Sequence, residues 1–420
     1  MEITREQLKN FKEGLPKRLT IDGQTKEYSS YLIPLKYLYY NNLNGRISTY
    51  IEEYNDKSDN EDLNEILKND IDKYNDLIAS FIKKSSNDNE SSFKKTKKDI
   101  EIKGQQNPGV ILSDGRIIDG NRRFTAIREL YKESGNDKFA YFEAVYLDAP
   151  NDNDKDGWKR IKTLELFLQF NVDEKKDYNR IDFLVSFYRD TIDSSTKMFD
   201  KKQYCYTSGI TSTEYDKNTN IIKIMLDYLE WRNKPKAFYI LKNEKLDGPI
   251  EDIASATKKM NNEEWTSMKD YIYHYMTHVQ SGDRTRDIRE LVKSAKTNGS
   301  LYQKYKETID TPENMTKLMK AVISKDTKVL TPEESKKSRE IQTETQRQLI
   351  DAFENARYQN KIETANNEPI KLLDEAINQI KKVDVAIIKN MNIVKKDSIR
   401  TKIADLEKAL MEIMKVIDNE

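Results

Sequence analysis

The sequence predicts an α+β fold: one sheet-bearing block over residues 28–150, a mainly helical middle at 151–330 and a helical C-terminal region at 331–420. Three observations lead there. Short β-rich runs, broken by proline and Asp-Gly, occur between Tyr28 and Leu147 and nearly vanish beyond. Past Asn151 the apolar residues recur at steps of three and four, the period of an amphipathic helix. And the 420 residues exceed a typical domain about threefold, so two or three domains are expected.

Residues 1–27 are polar, with Pro16 and Gly23 as breakers, and read as a loosely packed arm or a short helix plus turn. Tyr28–Leu35 reads as a strand stopped by Pro34. From Leu63 to Ile82 the apolar positions fall on one helical face. Residues 83–99, rich in Ser, Asn and Lys, read as a mobile loop. Val110-Ile111-Leu112, Ser113-Asp114-Gly115 and Arg116-Ile117-Ile118 read as strand, tight turn, strand, because Asp-Gly supplies the positive φ of a hairpin turn. Asp119-Gly120-Asn121 then opens a helix that runs through Tyr131 and ends at Gly135, and Tyr141–Leu147 is a further strand. Asn151–Gly157 reads as a boundary. Helical runs follow at Leu164–Phe170, Ile181–Tyr188, Ile221–Trp231 and Trp265–Tyr275. Thr331-Pro332 is a helix start. Ile399, Ile403, Leu406, Leu410, Ile413 and Ile417 step by four and three, as do most apolar residues from Ile370 to Val394. With Asp397-Ser398 as the turn, a helical hairpin or coiled coil is expected, and a homodimer through these C-terminal helices is one way to cover the stripes.

Composition excludes several classes. Lys+Arg and Asp+Glu both number 72, so a blanket basic coat for nucleic acid is ruled out, though a local basic face is not. The one cysteine, Cys205, excludes a disulfide framework and any multi-thiolate zinc site, and it reads as a packing residue. The N-terminus lacks the apolar core of a signal peptide, and no stretch is long and apolar enough to span a membrane. A cytoplasmic protein without a membrane partner is expected.

Chemistry concentrates at Gly104-Gln105-Gln106-Asn107-Pro108 and at Asp119-Gly120-Asn121-Arg122-Arg123-Phe124-Thr125. A helix that begins at glycine presents backbone N–H groups and its positive dipole end, and glycine lets an anion come close. Arg122 and Arg123 add fork-shaped donors that stay charged, and Asn121 and Thr125 can complete the cradle. Together they suit a phosphate chain, with Gln106 and Asn107, held by Pro108, in reach of a base or ribose edge. The alternative is an ordinary helix cap with two surface arginines.

Three stretches in order across Tyr31–Leu147 resemble the ParB/sulfiredoxin-like family: Ile33-Pro34-Leu35 with Asn44-Gly45-Arg46-Ile47, then Ile102–Leu112, then Arg116–Leu130 with its Gly-Asn-Arg-Arg box. The resemblance implies that Gly120, Asn121, Arg122, Arg123 and Thr125 cradle the phosphates of a nucleoside triphosphate, CTP or ATP, and that Gly104, Gln106 or Asn107, and Pro108 form the accompanying box. It implies Mg2+ at Glu165, although Glu165 and Gln169 stand one residue further apart than the family's pair and the arginine is missing. Asn121 replaces a common glutamate. The box holds no cysteine, which disfavours sulfur reduction.

Partition proteins of the family follow this domain with a DNA-reading helix-turn-helix. Ile210–Glu230 reads here as a capped helix pair, but its second helix carries Lys223 beside Asp227 and Glu230, little charge for a groove reader. The basic runs Lys94–Lys98, Arg284–Arg289 and Lys336–Arg339 are interleaved with acids and read as solvated faces. His274 and His278, with Asp270, share metal-ligand spacing on one helical face, but the crowd of Tyr271, Tyr273 and Tyr275 favours packing. The expected function is a nucleotide-dependent, DNA-associated factor, with slow NTP hydrolysis as a reset. The rivals are a nuclease or phosphotransferase of a phage-defence or DNA-modification system, and a non-catalytic interaction scaffold.

Overall fold

The computed structural model describes residues 2–57, 60–85, 89–171, 179–280, 283–326 and 332–418. Two compact units divide the chain, at Ala352/Phe353. The first begins with α1 (Arg5–Lys9), held by a Thr4/Gln7 capping box, and a two-stranded hairpin, β1 (Lys17–Ile21) and β2 (Gln24–Tyr28). The N-terminal stretch is therefore an ordered part of the fold. Asp22 and Gly23 both take positive φ in its turn, and Leu19 is buried.

A five-stranded sheet follows, built from β3 (Ser30–Pro34), β4 (Tyr39–Tyr40), β5 (Gly109–Leu112), β6 (Arg116–Asp119) and β7 (Tyr141–Leu147), in the order β3-β7-β5-β6-β4. Its β3–β7 and β5–β6 pairs are antiparallel, and β5–β7 and β4–β6 are parallel. Side chains alternate across it. Ile111, Ile117, Phe142 and Ala144 join one core with Ile33, Tyr40 and the helices inserted between β4 and β5. Val110, Leu112, Ile118 and Val145 face the other way, onto Leu19 and Leu164.

The inserted helices are α2 (Ser48–Asn55), α3 (Leu63–Asn69), α4 (Ile71–Ser85) and α5 (Asn89–Lys103). The apolar face from Leu63 to Ile82 is thus two helices, broken where Asp70 turns extended. The mobile loop expected at 83–99 is corrected: residues up to Ser85 close α4 and those from Asn89 open α5, while 86–88 lie outside the described residues. Phe93 and Ile100, two turns apart, anchor α5 in the core, and Lys97 pairs with Glu129 and Glu133. The β5–β6 turn leads into α6 (Asn121–Ser134), capped by left-handed Gly120 and Gly135.

Among the described residues helices alone follow: α7 (Lys155–Asn171), α8 (Arg180–Thr191), α9 (Lys201–Ser208), α10 (Ser212–Trp231), α11 (Phe238–Asn243), α12 (Asp247–Thr257), α13 (Asn262–His278), α14 (Arg284–Lys296), α15 (Ser300–Ile309), α16 (Pro312–Asp326) and α17 (Pro332–Ile380). The helix pair expected inside Ile210–Glu230 is corrected to the single helix α10, because its Thr211/Glu214 capping box starts one uninterrupted amphipathic run. Left-handed Gly209 joins it to α9. Cys205, on α9, is half-buried. Polar contacts tie α2 to these helices: Asp182, paired with Lys242 at 2.6 Å, also accepts from Thr49 at 2.6 Å, and Arg189 reaches Glu52 at 2.6 Å. Among the described residues no helix is long and apolar enough to cross a membrane.

The second unit, Phe353–Glu420, comprises the rest of α17, α18 (Val385–Lys389) and α19 (Ile393–Ile417). The turn expected at Asp397-Ser398 is corrected: both residues lie inside α19, and Asp384 and Asn392 are the caps that start α18 and α19. Neither of these helices has a buried residue.

Candidate functional site

The sequence of turns places one cavity at the start of α6. Gly115 takes φ 91 in the hairpin, β6 ends at Asp119, and Gly120 turns left-handed at φ 97 to start the helix. A Cβ on Gly120 would sit 2.9 Å from Phe142 Cζ and 3.1 Å from Arg123 Nη2, so the backbone itself lies against the sheet. The helix has no side-chain cap and no acidic residue in its first turn. That leaves the positive end of its dipole without a carboxylate of its own. In front of it opens a cavity of about 320 Å3 whose wall includes Asn44, Arg46, Gly120, Asn121, Arg122 and Glu165.

Of the residues singled out in the sequence, Gly120, Asn121, Arg122, Arg123 and Glu165 line this cavity. Arg46 and Arg122 are both on its wall. The Asn121 Oδ1 atom is buried with no hydrogen-bond partner. Arg123 has a different task. Its Nη2 donates to Asp119 at 3.0 Å and its Nη1 to the Asn107 carbonyl at 2.7 Å. Lys17, from β1, donates to the same Asp119 oxygen at 2.7 Å and to the Pro108 carbonyl at 2.7 Å. Those two cations hold the Asp119 carboxyl below its ordinary pKa against the opposing effect of burial.

Thr125 and the Gly104–Pro108 box lie outside the lining of this cavity. Thr125 is fully buried, sharing a 2.8 Å hydrogen bond with the Tyr40 hydroxyl and donating to the Asn121 carbonyl. Gly104 ends α5 at φ 75. The Gln106 amide turns back to the Lys103 carbonyl. Asn107 and Pro108 offer their carbonyls to Arg123 and Lys17, so this box braces the loop behind the cavity. Gln105 completes the brace by bonding both backbone groups of Glu143.

Glu165 is buried on α7, its oxygens taken by Lys162 at 3.4 Å and by Gln169 at 3.2 Å. Among the described residues no group of three or more His, Cys, Asp or Glu side chains stands ready for a metal. His274 and His278 stack with ring centroids 6.0 Å apart inside α13, and Trp231 meets His274 edge-on. Burial pushes their pKa values down to about 3 and about 4, so both are neutral.

Sequence reasoning missed Lys17, Asn44 and Arg46 as parts of the site. Arg46 sits in the quoted Asn44-Gly45-Arg46 run, which was a usable signal, whereas nothing near Lys17 marks its long-range partner Asp119. No family model, curated protein or solved structure matches the chain.

Proposed function

We propose that this is a nucleotide-responsive, DNA-associated factor of the ParB/sulfiredoxin type, in which the phosphates of a nucleoside triphosphate sit at the N-terminus of α6. The observation that carries the reading is the cavity at a helix start without a side-chain cap, with Arg46 and Arg122 on its wall beside the cation-paired Asp119 and Glu165. The buried, unpartnered oxygen of Asn121 asks for a donor, which a ribose hydroxyl supplies. The fit to a protein-held Mg2+ is poor, since Lys162 and Gln169 occupy Glu165 and the cations Lys17 and Arg123 occupy Asp119. No step is assigned to the metal.

The cavity spans α6 and α7, because Glu165, Leu168 and Gln169 form its far wall. An anion bound to α6 therefore changes the charge that Glu165 and Gln169 of α7 face across the cavity, and slow hydrolysis restores it. The assembly that responds is, in this reading, a homodimer through α19, whose Ile403, Leu406, Leu410, Ile413 and Ile417 are all exposed. The DNA arm of the proposal rests on the resemblance alone. At the exposed start of α10 the charges are paired, Asp216 with Lys201 of α9 and Lys217 with Glu251.

A thermal-shift panel of ATP, CTP, GTP and UTP with magnesium tests the pocket. One triphosphate at a hundredfold excess over its Kd should add about 2.7 kcal/mol of stability, and Arg122→Ala should lose that gain with little change in its own melting temperature. Absence of a shift with all four overturns the proposal. A bound nucleotide that changes neither hydrodynamic size nor plasmid affinity would reduce the protein to a scaffold.

A further inference from the structure

A second cavity, of about 630 Å3, lies along the first turns of α7, where Trp158, Lys159 and Lys162 face Ser186 and Asp190 of α8 and the 194–198 segment. The two cavities share a wall. Leu43 and Gly45 border the larger one, while Asn44 and Arg46 border the smaller. Lys162 stands between them, 3.4 Å from Glu165 and 3.6 Å from Asp190.

Asp190 is the feature that points to a ligand. The residue is 6% exposed, yet its Oδ2 atom has no hydrogen-bond partner. Its place is fixed, because its carbonyl accepts from the Met198 and Phe199 amides. A buried acceptor left unpaired is costly, so it calls for an N–H or O–H donor from outside. The rest of the lining narrows the donor's identity. Lys155 and Lys197 are exposed at the edge and favour an anion over the single exposed acid there, Asp156, with Ser194 beside them, while the Ser195 and Thr196 hydroxyls donate to Asp193 and to the Arg189 carbonyl. Leu43, Trp158 and Met198 add apolar surface for a flat ring.

We propose that this second cavity binds a nucleotide unit, its base donating N–H groups to Asp190 and its phosphate meeting Lys155 and Lys197. Guanine, whose ring N–H and amino group lie side by side, matches a carboxylate best. The site stands on Asp190 and not on the start of α6, so it holds or fails independently of the triphosphate reading.

Calorimetric titration of the full chain with GMP tests it. Asp190→Asn should weaken GMP by roughly tenfold or more, the loss of a charge-assisted contact. Lys155→Glu with Lys197→Glu, changed only at exposed positions, should weaken it at low salt and less so at high salt. Arg122→Ala should leave it intact, and inorganic phosphate alone should give no heat that depends on Asp190. A trinucleotide GpGpG that binds tighter than GMP identifies a strand end as the source of the base, and one that binds no tighter identifies a free nucleotide. The proposal is overturned if wild type shows no heat with GMP, or if the lysine variant and a folded Asp190→Asn both bind it as wild type does. Should Asp190→Asn fail to fold, the lysine variant alone decides.

Discussion

Adding one methyl group to Gly120 perturbs both the backbone and the packing that create the first cavity. The residue sits at φ 97, where an L side chain costs about 1–2 kcal/mol. The new Cβ would also lie 2.9 Å from Phe142 Cζ. Phe142 is fully buried and packs edge-on against Phe124 at 5.5 Å, which in turn meets Tyr40 at 5.0 Å, so the ring has nowhere to retreat. Overpacking of this kind costs about 1–3 kcal/mol. Gly120→Ala should therefore destabilise by about 2–5 kcal/mol in total. Gly135→Ala is the control: it also has positive φ, 61, but nothing lies within 4 Å of its Cβ, so only the conformational part applies. Hydrogen exchange over residues 109–134, measured under native conditions, reads both costs locally. Equal losses of protection in the two variants would refute the packing argument, and an unaltered Gly120→Ala would refute the whole of it.

Three more outcomes are expected. Lys17→Met leaves the buried Asp119 with Arg123 as its one remaining cation and should cost about 1–3 kcal/mol, read by urea denaturation. Because the folded pKa of Asp119 is depressed, its contribution is present above the ordinary carboxylate value and is lost as pH falls through the folded one. In Lys17→Met the folded value moves back toward the ordinary one, so that acid loss should be smaller and end at higher pH, and an unmoved profile would count against the pairing. The buried histidines act in a neighbouring range. Their folded pKa values of about 3 and about 4 lie below the unfolded value, so stability is complete above about pH 6.5 and falls as the unfolded chain takes up protons, by up to about 1.4 kcal/mol per pH unit for each histidine. His274→Leu should roughly halve that slope between pH 6 and 4.5, as followed by denaturation at stepped pH; a slope equal to wild type would exclude His274 as a contributor. Arg232→Met strands Glu244 and Asp326, which it holds at 2.7 and 2.5 Å in the interior, and should cost about 3–5 kcal/mol by the same assay. A loss below 1 kcal/mol would mean that Lys325, 3.1 Å from Glu244, already neutralises the cluster.

The β5–β6 hairpin and α6 were readable because strong local signals agreed: Asp114-Gly115 between the apolar runs Val110–Leu112 and Ile117-Ile118, then glycines at both helix ends. The β1–β2 hairpin has the same Asp-Gly signal at Asp22-Gly23, but its strands are polar and bury only Leu19, so the alternation that flags a strand is faint. Helix α5 was hidden for a similar reason, since Phe93 and Ile100 carry its anchoring through a run of serines and lysines. At the site, sequence could name the arginine pair but not divide its labour. Neighbours on a helix point about 100° apart, so Arg122 turns to the cavity while Arg123 turns back to Asp119. Thr125 falls on the buried face, where Tyr40 claims it. The second cavity left no trace at all, because its parts come from residues 43–45, 155–162 and 186–198 and meet only through folding.

The dependence of Asp119 on Lys17 also sets the limits of a portable fragment. A piece cut at Tyr28, where the β pattern begins, would carry every residue of the Gly-Asn-Arg-Arg box and still lose the ammonium that steadies the strand end beneath it. Ending such a piece at Pro150 would remove Glu165 and Gln169, and with them the opposite side of the cleft. The smallest version that keeps both therefore runs from β1 through α7, more than the motif alone would suggest.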